Sequence, residues 1–304
     1  MYNVFIQTAV LILLGVLWRR FSPHGLDADT LRRSLTTLVY ILLLPALVVV
    51  VLWRANLSLD SVRISVLAAL GVLAGMALAW LWFRRGAATP AAIGAMVLAS
   101  GFPNATYMGL PVLESALGPW ARSVAVQYDL FACTPLLLSV GVMIAAHYGK
   151  VKIKGHPVLA LLQVPPLWAA LGGIALNLAG VPLPKVVGGL LDMLAGGVVP
   201  LMLFSLGLGL RWTAGGWSHL PQVFPVVAIQ LFITPLLVWG GSLLLGMSGP
   251  VQTAVVLEAA MPSMVLGIVL CDRYKLDTSL YAMAVTLTTA LSLFTLPLWL
   301  SWVR

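Results

Sequence analysis

Gly101-Phe102-Pro103-Asn104-Ala105-Thr106-Tyr107-Met108-Gly109-Leu110-Pro111 lies inside an apolar stretch that runs from about residue 91 to 113. Proline removes a backbone donor and clashes with the preceding turn of a helix. Two prolines and two glycines within these eleven residues therefore predict an unwound helix interior. A helix entering a membrane at Ala91 would place Pro103 about 18 Å deep, at 1.5 Å per residue. That is near the midplane of a hydrocarbon core about 30 Å thick. A second stretch, from about 252 to 271, contains Met261-Pro262-Ser263. Entering from the other side, Pro262 would lie about 15 Å deep. Irregular backbone is tolerated at that depth only when buried in protein or facing a wet cavity. Two plain proline kinks are the alternative reading. The matched depth and the polar residue after each proline favour a site.

The rest of the chain agrees with a membrane setting. Of its 304 residues, 61% are hydrophobic and only 9% are charged, with a mean hydropathy of +1.04. Soluble domains carry about 25% charged residues, which excludes that class. Apolar stretches fall at roughly 3–18, 34–53, 62–83, 91–113, 120–146, 157–179, 185–210, 220–246, 252–271 and 278–302. Each is long enough to cross a bilayer, so ten spanning helices are expected, all joined by short loops. The first stretch lacks a basic residue before its apolar run, so it does not read as a signal peptide. Twelve of the seventeen Lys and Arg residues fall in odd-numbered loops and five in even loops or the C-terminus. The positive-inside rule then puts odd loops in the cytoplasm and both termini outside. The formal charge of +8 is accounted for by loop residues, with no nucleic-acid partner implied. His24, His147, His156 and His219 lie in or beside odd loops and read as interfacial. Cys133 and Cys271 fall within or at the end of apolar stretches, with no metal-ligand spacing.

The two halves share a register. Pro45 and Pro200, Pro103 and Pro262, and Pro135 and Pro297 are separated by 155, 159 and 162 residues. Five helices per half is an odd number, so residues 150–304 would form a repeat inverted relative to residues 1–149. Inverted repeats with interrupted helices at matching positions are a feature of secondary transporters.

Each break would expose a half-helix N-terminus, with free N–H groups and a positive dipole end. Two such ends face to face would cradle an anion without Lys or Arg. Pro103 and Pro262 set the breaks, and Asn104 and Ser263 add side-chain donors. Thr106 and Tyr107 either add further donors or pack. Asp129 and Glu258 lie deep in the fifth and ninth stretches, and an intramembrane acid is a functional candidate by default. They are the expected carriers of a coupling proton or sodium ion, with a structural hydrogen-bonding role as the alternative. Asp192 reads as structural, and Glu114, at the outer end of the fourth stretch, as solvated. No phosphate-loop spacing, zinc motif or catalytic triad is present, so neither an enzyme nor an ATP-driven pump is expected. Trp18, Trp53, Trp80, Trp82, Trp120, Trp212, Trp299 and Trp302 cluster near segment ends, as interfacial anchors do.

The run from Phe102 to Pro111 resembles the fourth-helix motif of the auxin efflux carrier family, which includes the plant PIN carriers and bacterial malonate or malate carriers. The run from Met202 to Leu208 is similar to that family's seventh helix, and Ala260-Met261-Pro262 with Cys271-Asp272-Arg273-Tyr274 to its ninth. The resemblance covers essentially the whole chain. It implies two inverted five-helix repeats whose helices four and nine cross at their prolines. It also implies a scaffold of helices one, two, six and seven, a moving transport domain of helices three to five and eight to ten, and a homodimer through the scaffold. By the same resemblance, Asn104 maps onto the asparagine that binds the substrate carboxylate in PIN carriers. His156-Pro157 departs from the Asn-Pro of many members. The long cytoplasmic loop of large PIN carriers is absent, as in bacterial members, which points to a bacterial inner membrane. The expected function is elevator-type carriage of a small organic anion. A bile-acid-type sodium symporter and a ligand-sensing membrane module that moves nothing are the rivals. The Pro-Asn motif argues against the first, and the lack of an appended signalling domain against the second.

Overall fold

Four helices bend or widen at a proline, and those prolines set the course of the chain. The computed structural model describes residues 2–55, 57–86, 88–150, 162–210 and 220–303. Helices α1 (Tyr2–Phe21), α2 (Ala28–Trp53) and α3 (Leu59–Phe83) come first. The fourth apolar stretch forms two pieces, α4 (Pro90–Gly101) and α5 (Leu110–Leu117). Next come α6 (Pro119–Gly149), α7 (Pro165–Leu178), α8 (Lys185–Gly209) and α9 (Leu220–Leu244). The ninth stretch is again split, into α10 (Gly249–Ala259) and α11 (Gly267–Arg273), before α12 (Thr278–Val303). Among the described residues, six helices are long and apolar enough to cross a membrane: α2, α3, α6, α8, α9 and α12. Large apolar side chains such as Val186, Met193 and Leu244 are exposed on the outside, as a lipid-facing surface requires. The described residues form helices and no strand, as a multi-pass membrane protein does.

Wide turns occur at Val39–Leu43, Ala105–Gly109, Asp129–Cys133, Leu137–Gly141 and Ile229–Ile233. All but the one at Leu137–Gly141 are followed, two residues on, by a proline: Pro45, Pro111, Pro135 and Pro235. A helical proline leaves a carbonyl four residues back without its donor. An i→i+5 turn is one way a helix absorbs such a defect, and Leu44 N–H closes the first one onto Val39 C=O. The second helix begins at Ala28, earlier than its apolar run, because Asp27 caps it by accepting from Thr30 N–H at 2.8 Å.

Packing is closest where glycines let backbones meet. A Cβ on Gly15 of α1 would strike the backbone of Phe204 and Gly207 on α8. On α7, the Asn177 amide donates to the carbonyls of Leu52, Trp53 and Ala55 at 3.1, 2.8 and 2.7 Å. The most extensive contacts join α1, α2, α7 and α8 to each other, and α3 to α6 with α9, α10 and α12. Polar contacts also tie segments far apart in the chain. Asp277 N–H bonds Ala91 C=O at 3.2 Å, and Arg19 bonds Leu208 C=O at 2.6 Å. Trp53 bonds Val181 C=O at 2.8 Å, and Arg54 pairs with Asp192 at 2.9 Å. His156, Pro157, Lys152, Lys154, Arg211, Trp212 and His219 lie outside the described residues.

Candidate functional site

The two breaks meet. Among the described residues there is a single antiparallel backbone pairing, between Pro103 and Ser263. Asn104 N–H donates to Pro262 C=O at 2.7 Å, and Met264 N–H donates to Phe102 C=O at 2.9 Å. Away from water an unpaired backbone group costs several kcal/mol, so each break satisfies the other. Pro103 also deprives Ala99 C=O of its helical donor, because that partner would be the N–H of residue 103 itself. The Ser263 hydroxyl fills the gap, donating to Ala99 C=O at 2.7 Å. From α9, the buried Gln230 amide donates to Met261 C=O at 2.9 Å, and Ser263 N–H donates to Thr288 Oγ1 on α12 at 3.1 Å.

A cavity of about 140 Å³ opens beside the first break. Pro103, Asn104, Thr106, Tyr107 and Asp129 line it, together with Tyr40, Thr134 and Pro166. Asn104 is 2% exposed, and its amide Nδ2 has no hydrogen-bond partner among the described residues. The first bonds into the following turn run from Met108 and Gly109 N–H to Asn104 C=O. The N–H groups of Ala105, Thr106 and Tyr107 therefore stand at its open end. Asp129 accepts from the Thr106 hydroxyl and, at 3.1 Å, from the Thr134 hydroxyl. The cavity thus joins a partnerless amide, a helix start and one acid.

The other sequence-predicted residues lie elsewhere. Pro262 and Ser263 hold the first break through their backbone and hydroxyl but do not line the cavity. Glu258 is fully buried one turn before Pro262 and does not line it either. Asp192 forms a two-pronged, half-exposed ion pair with Arg54, in keeping with a structural role. Glu114, expected to be solvated, is instead paired with Arg122, with both side chains about one-fifth exposed. The α6 turn that follows Leu117 brings Arg122 back over it. A larger cavity of about 460 Å³ runs past Arg54, Asp192, Arg122 and Gln127. It contains none of the predicted site residues. Thr134, Gln230 and Thr288 were missed by the sequence reading. Gln230 alone left a visible signal, as an amide in the interior of the stretch, eight residues beyond Gln222 near its start.

The family described as "Membrane transport protein" matches residues 2–300. An uncharacterized transporter of Methanothermobacter thermautotrophicus is 33% identical over 299 residues, covering 97% of this chain and 95% of its own. An uncharacterized transporter of Methanocaldococcus jannaschii is 27% identical over 214 residues, covering 68% of this chain and 67% of its own. Matched almost end to end and carrying the Phe102–Pro111 run at the heart of its fold, the chain belongs to the membrane transport protein family of auxin efflux carriers.

Proposed function

We propose that the protein is a secondary carrier of a small organic anion, with the carboxylate held at Asn104. The observation that carries this reading is the Asn104 amide, a buried donor without a partner that lines the cavity. A buried polar group left unmade is costly, and a carboxylate there would accept from Nδ2 and from the N–H groups at the open helix start. In this reading the helices form ten spans in two inverted repeats, residues 1–149 and 150–304. α1, α2, α7 and α8 are the scaffold and dimer face, and the remaining helices move past them as an elevator. The dense packing within each of the two groups supports that division. The protein resides in the cell membrane with both termini outside, as the loop charges favour.

Asp129 shares the cavity, so an anion bound there has to be accompanied by a proton or a sodium ion. Asp129 and Glu258 are the residues proposed to carry it. The test is uptake of radiolabelled mono- and dicarboxylates into proteoliposomes under an imposed pH gradient, sodium gradient or potential. Uptake of at least one acid, lost in Asn104→Ala, is expected. Ligands that stabilise the purified protein but never cross would instead make it a sensing module.

A further inference from the structure

We infer that Glu258 is a proton site, closed to both faces of the protein in this conformation and unable to hold sodium. The inference deepens the coupling part of the proposed function and rests on it only for its role in transport. Glu258, next to last in α10, has no exposed surface, and neither carboxyl oxygen has a hydrogen-bond partner among the described residues. Its carboxyl group fills the notch left by Gly109, where a Cβ would collide with both oxygens. It lines none of the described cavities.

Two physical facts then decide the occupant. An isolated buried carboxylate is costly enough that the group neutralises instead. A sodium ion would need several oxygen ligands and the volume to seat them, and the notch is already filled by the carboxyl itself. A proton needs neither. The titratable groups that share the surroundings of Glu258 are Asp129, Tyr128 and Cys133, all from α6. α3, α5, α9, α12 and the turn at 105–109 also pack against α10, and among the described residues none of them brings a charged group that acts on Glu258. Asp129 differs in both respects, with two hydroxyl donors and a cavity wall. It is the acid that exchanges with the cavity, while Glu258 keeps its proton as the site stands.

Infrared spectroscopy of the purified protein tests this without any substrate. The chain has only two glutamates, Glu114 and Glu258, so carbon-13 glutamate labelling in a Glu114→Gln background marks Glu258 alone. The expected result is a labelled C=O band of a protonated carboxyl at neutral pH. It should be identical in sodium and choline chloride, absent in Glu258→Gln and retained in Asp129→Asn. A labelled carboxylate in place of that band, or a band erased by sodium, overturns the proton site. The labelled Glu114→Gln protein reads this even if Glu258→Gln does not fold. The outcome is separable from the carrier reading: uptake with no such band leaves the carrier and removes the proton site, and a band with no uptake does the reverse.

Discussion

The two breaks look like copies in the sequence and are opposites in the structure. Behind Pro262, nearly every polar group is engaged: Ser263 Oγ with Ala99, Ser263 N–H with Thr288, Met264 N–H with Phe102, and Met261 C=O with Gln230. Behind Pro103, the backbone is paired across the crossover, but the helix start after it is open and the Asn104 Nδ2, without a partner among the described residues, borders a cavity. One break is sealed and serves as a clamp, and the other is left incomplete and can take a ligand. A pseudo-symmetric pair therefore need not make a symmetric site, because the residue that follows each proline decides what the break can do. Serine is short enough to turn back to the orphaned carbonyl of Ala99, whereas the Asn104 Nδ2 has no partner among the described residues.

The largest effect expected from this contrast is on Asn104. Removing its side chain takes away a hydrogen bond to a charged ligand, worth about 1.5–3 kcal/mol. Apparent affinity in the uptake assay should fall roughly ten- to hundredfold. The melting temperature should hardly change, since Nδ2 has no hydrogen-bond partner among the described residues. An Asn104→Ala protein that transports normally would move the site out of this cavity.

Gln230 should behave in the opposite way. Gln230→Leu keeps most of the volume but strips Met261 C=O of its donor. A buried acceptor left unmade costs about 1–3 kcal/mol, to be read as a lower midpoint in thermal or denaturant unfolding of the detergent-solubilised protein. Substrate affinity should stay within a fewfold of wild type. A variant whose affinity collapses while its stability holds would show that the second break also faces the ligand.

Ser263→Ala comes next, at about 1 kcal/mol of stability. It leaves Ala99 C=O with neither its helical donor nor its substitute. If the substitution instead weakened uptake at unchanged stability, the serine would be a ligand contact, as the sequence alone invited.

How far the sequence reached follows from the range of each interaction. Local chemistry was legible. Prolines marked both breaks, apolar runs marked the helices, and the orphaning of Ala99 follows from Pro103 by counting back four residues. Partners far along the chain were not legible. Ser263 meets Ala99 across 164 positions and Arg54 meets Asp192 across 138, and no spacing rule pairs them. Glu114 was misjudged for the same reason: its depth could be counted, but Arg122 reaches it only because the chain reverses after Leu117. Asp129 and Glu258 read alike as deep acids. What separates them is a pair of hydroxyls and a cavity for one, and a notch at Gly109 for the other.

The smallest effects expected lie in two threonines, one serving each break. Thr106 donates to Asp129 at the open break, and Thr288 accepts from Ser263 N–H at the sealed one. Valine matches threonine in shape and removes only the hydroxyl, so each change should cost about 0.5–1.5 kcal/mol. The cost should appear in different measurements. Thr106→Val frees Asp129 from one of its two donors, which should alter uptake affinity and its pH profile with little change in melting. Thr288→Val strands the Ser263 N–H in a buried setting, which should lower the melting temperature with little change in uptake. The two threonines share no hydrogen-bond partner, so the double variant should show both losses added, as sites without a shared partner do. Coupling between them in either measurement would mean that the two breaks move as one unit, and the contrast between a ligand-facing break and a structural one would not hold.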